Sequence, residues 1–262
     1  DSRLPRWPNE FVISCGMVAA RFAAGLGLLS SQSYSSVNVV IRLDNVTKYY
    51  ATAQGRKYVF KNLSFELPEK TNIGVLGLNG SGKTTLLRMI GGIDYPNEGC
   101  IDITGSISWP LGLSGGTQGS LSGRENASFV CRVYGQNAEA IEEKLAFILD
   151  FSELGDYFDL PVKTYSSGMR SKLMFAMSMA FDFDIYLIDE ITAVGDARFR
   201  AKSQQALLDK RKRSNYIMVS HNVNDLIKDS DSLLVLGRGD VQLFSDTAQG
   251  LAYYKEIVQA KK

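Results

Sequence analysis

The chain has 262 residues, of which 45% are hydrophobic and 22% charged, and its formal net charge is +1. This length and composition allow one large or two small domains with a full hydrophobic core. A net charge near zero excludes a global attraction to nucleic acid or anionic lipid, so such a partner must be recognised locally. Three scattered cysteines, Cys15, Cys100 and Cys131, fit neither a zinc pattern nor a disulfide framework and favour a reducing compartment.

Residues 1–38 do not share the pattern of the rest of the chain. The segment 11–29 is mostly apolar but carries Arg21 near its centre. Because a central arginine costs about 2.5–3.5 kcal/mol in a membrane span, we expect no spanning helix here. Three interpretations stay open: an extension that is non-native or loosely ordered, a segment that contacts a membrane surface or interface, and a cleaved signal.

A regular pattern begins at Val39. Residues 39–43 and 58–65 predict two strands around a polar loop at 52–57, which together form an antiparallel β element. Tyr49 and Tyr50 stand in this region. Either tyrosine offers a flat face on which a purine base can stack, and the alternative is a strand-end tyrosine that packs on the core.

The run GLNGSGKTT, residues 77–85, is the most informative motif. It matches GxxxxGK[ST], follows an apolar strand predicted over 73–76, and precedes a helix predicted from residue 86. In that context glycine allows backbone N–H groups to surround a phosphate, Lys83 reaches the outer phosphates, and the Thr84 hydroxyl binds Mg²⁺. The motif therefore predicts a nucleoside triphosphate site.

The middle of the chain is predicted to be helical. A glycine-rich stretch at 112–118 predicts a mobile loop. Ser122 and Glu125 have the spacing of a capping box, which predicts a helix from there to residue 133. A second helix is predicted over 138–149, because its apolar residues fall on one face.

Two later segments add polar groups at the ends of predicted elements. The small-residue turn YSSGMR, residues 165–170, precedes an apolar helix predicted over 173–181, and a helix N-terminus of this kind is an anion site. The apolar strand predicted over 184–190 ends in Asp189 and Glu190. Strand-end acids beside a phosphate loop indicate metal binding and activation of water.

His221, the single histidine of the chain, ends another predicted buried strand, 216–221. At that position it can donate to a γ-phosphate or to the attacking water. The basic run 210–213 before it predicts a solvated helix end, with anionic lipid or a partner as the alternative. Residues 233–244 predict a hairpin that is followed by a final helix.

With these motifs in this order, residues from 39 almost to the end resemble the ATP-binding subunit of ABC transporters. Segments 107–110, 116–126 and 165–170 look like the capsular polysaccharide export ATPases of Gram-negative bacteria. The resemblance implies an α/β fold, a P-loop NTPase of the ABC type. Its parts are a mixed RecA-like sheet core, an antiparallel β subdomain and a helical subdomain at about 119–182, all within residues 39–262.

The resemblance also implies a role for each motif residue. Tyr50, with Tyr49 as the fallback, stacks on adenine, and Asp189 and Glu190 become the Walker B acid and the catalytic glutamate. His221 becomes the switch histidine and Asp196 the D-loop acid, while Ser166 and Gly168 form the signature that meets the nucleotide of a second subunit. Gln118 is assigned as the Q-loop residue, in contact with Mg²⁺ and the γ-phosphate. The Walker A contacts are Gly77, Asn79, Gly80, Ser81, Gly82, Lys83, Thr84 and Thr85.

The chain departs from the family pattern at two places. Its signature is YSSGM where the superfamily has LSGGQ, so Ser167 replaces a glycine and Met169 replaces a glutamine. Signature contacts are therefore expected to be altered. Gln118 also lies closer to the segment 123–126 than the superfamily glutamine usually does.

The implied function is hydrolysis of ATP with Mg²⁺ by a homodimer on the cytoplasmic face of the bacterial inner membrane. Its implied partners are integral membrane permease subunits and a periplasmic and outer-membrane export apparatus, with no nucleic acid. The cargo would be lipid-linked capsular polysaccharide, and the alternative cargo is O-antigen or teichoic acid. A soluble ABC ATPase that acts on ribosomes or DNA is a further alternative. We see neither a second motif set nor a coiled-coil insertion in favour of it.

Overall fold

The computed structural model describes residues 41–68, 70–111, 117–189, 196–220, 222–237 and 240–260. The chain divides into two compact units. The described part of the first comes from Gly116–Ala180, and we call it the helical unit. The second, the sheet unit, consists of Val37–Gly115 and Phe181–Lys262. The predictions for residues 1–38 and for most of the glycine-rich stretch at 112–118 lie outside the described residues.

The sheet unit contains all of the described strands. In chain order these are β1 (Ile41–Thr52), β2 (Gly55–Leu67), β3 (Ile73–Gly77), β4 (Glu98–Ile103), β5 (Ile185–Asp189), β6 (Asn215–Val219), β7 (Ser232–Leu236) and β8 (Val241–Phe244). The helices are α1 (Lys83–Ile90), α2 (Gly123–Val133), α3 (Ala138–Ser152), α4 (Ser167–Met179), α5 (Ala197–Arg211), α6 (Val223–Asp229) and α7 (Thr247–Gln259). Within the described residues, none of these helices has the length and apolar character needed to span a membrane.

The first sheet is antiparallel, in the order β2-β1-β4. It confirms the predicted antiparallel element but corrects its loop. The predicted loop 52–57 is wrong in extent, because Gly55, Arg56 and Lys57 pair with β1 and leave only residues 53–54 in the turn. Gly55 has a φ of 112°, which permits the tight turn. The polar residues at this exposed end have the composition of a loop although they pair as strands.

The second sheet has the order β5-β6-β3-β7-β8. The strands from β5 to β7 are parallel to their neighbours, and β8 is antiparallel to β7, which confirms the predicted terminal hairpin. Every residue of β5 and β7 is buried, as expected for strands covered on both faces. Because β3, β5 and β6 are parallel, their carboxyl ends meet at the same edge of the sheet.

Helix α1 joins the two sheets through the hydrophobic core. Leu86 and Leu87 are fully buried in a cluster that also contains Leu43 of β1 and Val75 of β3. Burial of such side chains stabilises the fold by about 1.5–3 kcal/mol each. The orientation of α1, and so of the loop before it, is set by this packing.

The helical unit is built from α2, α3 and α4 with two short 3-10 helices, Gly155–Asp159 and Val162–Thr164. The capping box is confirmed: the Ser122 hydroxyl accepts from the Glu125 N–H at 3.1 Å, and the Glu125 carboxylate accepts from the Ser122 N–H at 2.7 Å. The helix predicted over 173–181 was placed too late, since α4 begins at Ser167. Small residues in its first turn hide the apolar periodicity.

The basic run 210–213 lies at the end of α5, as predicted. Three of its members form ion pairs within the sheet unit, and Lys212 pairs with Asp209 of α5 itself at 2.7 Å. Lys210 donates to the Phe181 carbonyl at 2.7 Å and pairs with Asp182, and Arg211 pairs with Asp229 at 3.0 Å. The contacts of Lys210 and Arg211 tie α5 to the rest of the sheet unit, and the ion pairs reduce the charge that the run presents to solvent.

We expect Ser122→Ala to lower the free energy of unfolding by about 1 kcal/mol, because it removes the acceptor that caps α2. Urea unfolding followed by circular dichroism measures the change. Ser120→Ala is the matched control, because Ser120 is exposed and lies before the cap. Equal stability of the two variants would contradict a stabilising capping box.

Candidate nucleotide-binding site

The predicted phosphate loop lies between the central strand β3 and α1, as the motif required. Gly80 and Gly82 have φ angles of 78° and 100°, which L side chains rarely adopt. A Cβ on Gly82 would lie 2.6 Å from side-chain atoms of Val59 and Phe60, and one on Gly77 would lie 2.5 Å from the Ser81 hydroxyl. The path of the loop therefore depends on glycine for both its conformation and its space.

The loop presents positive charge at the start of α1. The Lys83 ammonium donates to the Gly77 carbonyl at 2.8 Å and to the Leu78 carbonyl at 3.1 Å, so it lies over the loop. The first turn of α1, which is described throughout, carries no acidic residue and no side-chain cap. Its N–H groups and the helix dipole therefore favour an anion.

Ser81 supplies an independent indication of an anion-binding site. Within the described part of the chain, its buried hydroxyl has no hydrogen-bond partner. A buried polar atom without a partner carries a desolvation cost of about 1–3 kcal/mol, which a bound phosphate oxygen can offset. The loop thus fits the triphosphate that the motif predicts.

Asn79 and Lys83 also line a cavity of about 270 Å³. Ser220 and Val223 contribute a second wall, and Tyr254 and Val258 of α7 a third. The cavity mixes polar and apolar groups beside the loop. Sequence reasoning did not anticipate that the final helix reaches this place, because α7 is distant in the chain and its tyrosine belongs to no motif.

The paired tyrosines Tyr49 and Tyr50 have different surroundings. The Tyr49 ring packs against Tyr58 with centroids 5.4 Å apart, and the Arg56 guanidinium lies 4.5 Å from its centre. Tyr50 is 42% exposed, and the groups that influence the pKa of its hydroxyl include Thr85 and Arg88 of α1. Of the two tyrosines, Tyr50 is therefore the one that lies near the phosphate-loop helix.

The Tyr50 hydroxyl also donates to Asp94 at 2.8 Å. Burial raises the pKa of Asp94, but hydrogen bonds from Lys48, Tyr50 and the Tyr95 N–H outweigh it and leave the pKa below its usual range. The carboxylate is therefore charged at neutral pH. Burial raises the pKa of Tyr50, so this phenol stays protonated and continues to donate.

The strand-end acid Asp189 is buried at the carboxyl end of β5, with 7% of its surface exposed. Its neighbour across the sheet is Val219, the last residue of β6. Glu190 and His221 lie outside the described residues. Asp196 follows at the start of α5, where its carboxylate accepts from the Phe199 N–H at 2.9 Å and caps the helix.

The signature residues and Gln118 belong to the helical unit. The Ser166 hydroxyl caps α4 by accepting from the Met169 N–H at 3.1 Å. A Cβ on Gly168 would meet only the Ser166 hydroxyl, at 3.8 Å, among described atoms, so the N-terminus of α4 is open.

The backbone of Gln118 is held by Asn126. The Asn126 side chain accepts from the Gln118 N–H at 2.7 Å and donates to the Gln118 carbonyl at 3.1 Å.

Sequence reasoning missed two residues that organise these loops. Asn126 is 2% exposed and fixes the backbone of Gln118, and a buried asparagine in a helix is the signal that could have indicated it. Tyr165 is buried at the start of the signature turn, where its hydroxyl donates to the Tyr157 carbonyl at 2.6 Å. Burial raises the pKa of Tyr165, which keeps this donor protonated. In the described residues, no group of His, Cys, Asp and Glu forms a ready-made metal cluster.

Comparison with known proteins finds a matching family and similar sequences. Residues 60–193 match the family profile described as "ABC transporter". The chain is 50% identical over 217 residues to the polysialic acid transport ATP-binding protein KpsT of Escherichia coli, which covers 82% of this chain and 96% of KpsT. It is 44% identical over 218 residues to the capsule polysaccharide export ATP-binding protein CtrD of Neisseria meningitidis serogroup B, which covers 83% of this chain and 100% of CtrD.

A solved structure supports the fold. A dimeric ATP-binding cassette in a post-hydrolysis state, bound to ADP and phosphate, is similar with a TM-score of 0.61 and 24% identity, over 77% of this chain and 96% of that chain. The predicted fold, a P-loop NTPase of the ABC type, is thereby confirmed.

We expect Gly82→Ala to abolish most nucleotide binding, because the new Cβ meets Val59 and Phe60 at 2.6 Å and the loop must move. Stability should also fall, by about 1–3 kcal/mol. Isothermal titration calorimetry with ATP and urea unfolding provide the measurements. Gly55→Ala is the control, since its φ of 112° is equally unfavourable for alanine while no described atom lies within 4 Å of the new Cβ. If both variants lost the same affinity for ATP, the result would contradict a specific role of the phosphate loop in nucleotide binding.

Proposed function

Because this chain belongs to the ABC transporter family, we propose that it is the ATP-hydrolysing subunit of an exporter of lipid-linked capsular polysaccharide. The observation that carries the proposal is the glycine-dependent loop with Lys83 over it and the unpartnered Ser81 hydroxyl inside it. The names of the two relatives above, at 44% and 50% identity, support the transport of a capsular polymer.

The phosphate loop binds the triphosphate through its own atoms. Lys83 exchanges the Gly77 and Leu78 carbonyls for β- and γ-phosphate oxygens, while N–H groups of residues 79–85 donate to the remaining oxygens. Tyr50 stacks on the adenine, which adds about 1–3 kcal/mol to binding.

The donors at the site suit Mg²⁺. Thr84 is exposed in the first turn of α1 and offers a hydroxyl, and Asp189 offers a carboxylate at the strand edge. The family resemblance adds the amide oxygen of Gln118 to these donors. Oxygen ligands of this kind are the ones that Mg²⁺ prefers. Bound Mg²⁺ supplies positive charge that offsets the charge of the β- and γ-phosphates.

Hydrolysis requires a positioned water. Glu190 accepts a proton from the water while the oxygen of the water attacks the γ-phosphorus. The bond between the γ-phosphorus and the β–γ bridging oxygen breaks, which releases ADP and phosphate. His221 donates a hydrogen bond to the γ-phosphate and holds the water in line. Both residues follow strands whose carboxyl ends lie at the edge that carries the phosphate loop.

The site is completed by a second copy of the chain. Ser166, Gly168 and the open N-terminus of α4 meet the γ-phosphate bound by the partner copy, and Asp196 contributes at the same interface. The glycine-rich segment with Gln118 reports the nucleotide state to the membrane subunits. The nucleotide subunit is then peripheral, on the cytoplasmic face of the inner membrane, and a periplasmic and outer-membrane apparatus receives the polymer.

We expect Glu190→Gln to retain ATP binding and to lower kcat about 100-fold or more, the loss typical of a missing general base. A coupled phosphate-release assay and calorimetry on the same preparation give the two values. Glu143→Gln is the control, because Glu143 is exposed on α3. Near-normal hydrolysis by Glu190→Gln would contradict the role of Glu190 as the general base.

Affinity purification of the chain from detergent-solubilised membranes of its host tests the transport role. We expect an integral membrane protein to co-purify, because a peripheral subunit needs a permease partner. Sequence analysis of the co-purified protein and of the neighbouring genes separates capsule from O-antigen or teichoic acid export. Recovery of ribosomes or DNA instead of a membrane protein would favour a soluble ABC ATPase.

A further inference from the structure

We infer that Asp94 and Lys48 are positioning residues for the nucleotide base, because together they hold the Tyr50 ring against the phosphate-loop helix. The inference rests on the proposed function, in which Tyr50 stacks on adenine. Neither residue belongs to a motif. Together they link the helix that follows the phosphate loop to the ring on which the base stacks.

Lys48 is a buried lysine with 6% of its surface exposed. Its ammonium donates to the Asp94 carboxylate at 2.5 Å and to the Tyr95 carbonyl at 2.7 Å. Burial of a charged group is unfavourable unless it is paired, so these contacts fix the lysine in one place. The same ammonium lies over the Tyr50 ring, 5.0 Å from its centroid.

Asp94 connects this pair to the tyrosine. One carboxylate oxygen accepts from Lys48, and the other accepts from the Tyr50 hydroxyl at 2.8 Å. The Asp94 N–H also donates to the Arg88 carbonyl at 3.1 Å, which ties the aspartate to the last turns of α1. The carboxylate therefore links a ring on β1 to the helix that begins at the phosphate loop.

The arrangement limits where a base can stack. The Lys48 ammonium lies over the ring and the hydroxyl is held by Asp94, so the orientation of the ring is defined near its face and at its tip. Neighbouring contacts hold the strand as well, because Asn97 accepts from the Tyr49 N–H at 2.7 Å. A preorganised ring binds a base without first losing side-chain freedom.

If Asp94 and Lys48 position the Tyr50 ring, their loss should lower the affinity for the base and not the affinity for the phosphates. We expect Asp94→Asn and Tyr50→Phe each to weaken binding of Mg-ATP by about threefold to tenfold, because either change weakens the hydroxyl–carboxylate contact. Binding of inorganic tripolyphosphate, which has the phosphates and no base, should stay within about twofold of wild type. In steady-state assays KM for ATP should rise while kcat stays the same.

Calorimetry on the full chain with Mg-ATP and Mg-tripolyphosphate performs the test. Asp182→Asn is the matched control, because it also removes the carboxylate of a lysine pair, with Lys210 at 2.6 Å, and Asp182 is not in contact with Tyr50. Tyr50→Phe leaves the Lys48–Asp94 pair intact, so it remains informative if Asp94→Asn fails to fold. The double variant Tyr50→Phe/Asp94→Asn should bind ATP no more weakly than the weaker-binding single variant. The reason is that both substitutions act on the same contact, the one between the Tyr50 hydroxyl and the Asp94 carboxylate.

Three results would overturn the inference. They are equal losses of ATP and tripolyphosphate affinity, additive losses in the double variant, and ATP binding by Tyr50→Phe equal to that of wild type. A wild-type chain whose ATP binding is absent or insensitive to Lys83→Ala would overturn the proposed function, and the inference with it. The two failures are therefore distinguishable.

Discussion

The structure depends on one backbone constraint, the reversal between β3 and α1 through Gly80 and Gly82. Their φ angles of 78° and 100° turn the chain so that α1 begins at Lys83 with N–H groups that can bind an anion. The cost of this conformation is recovered elsewhere, because Leu86 and Leu87 of α1 are buried in the core shared by both sheets. The loop is packed against the core at Gly82, where a Cβ would lie 2.6 Å from Val59 and Phe60, whereas at Gly80 it is the positive φ that favours glycine.

Much of the site was predictable because its chemistry is local in sequence. The phosphate loop, the capping box at Ser122 and the acid at the end of β5 each combine a residue type with a spacing, and the structure contains all three. The hairpin turn at 53–54 and the start of α4 at Ser167 were misplaced for a different reason. There the residues are polar or small, so tertiary packing and caps decided the boundaries while periodicity gave no signal.

The contacts that escaped prediction join residues far apart in the chain. Lys48 and Asp94 are separated by 46 positions, and neither belongs to a motif. The Asn126 side chain hydrogen-bonds both the N–H and the carbonyl of Gln118. The sequence indicated the helix that carries Asn126 through its capping box, but it did not indicate this contact. Sequence patterns report which residues touch a ligand, because ligand chemistry restricts residue type. The residues that position these ligand-contacting residues depend on the geometry of the fold. An ion pair or an amide can do so from many positions in the sequence, so no pattern indicates them.

Ser166 illustrates how one side chain can serve the fold and the proposed chemistry together. Its oxygen accepts from the Met169 N–H and so caps α4, but a hydroxyl also carries a proton to donate. Capping therefore leaves the serine able to bind a phosphate oxygen of the partner copy, and it fixes the direction from which that bond is made. The open space around Gly168 leaves room for the phosphate beside the N-terminus of α4. The structure therefore contains a serine cap and an unobstructed glycine beside the departures from the superfamily signature at Ser167 and Met169.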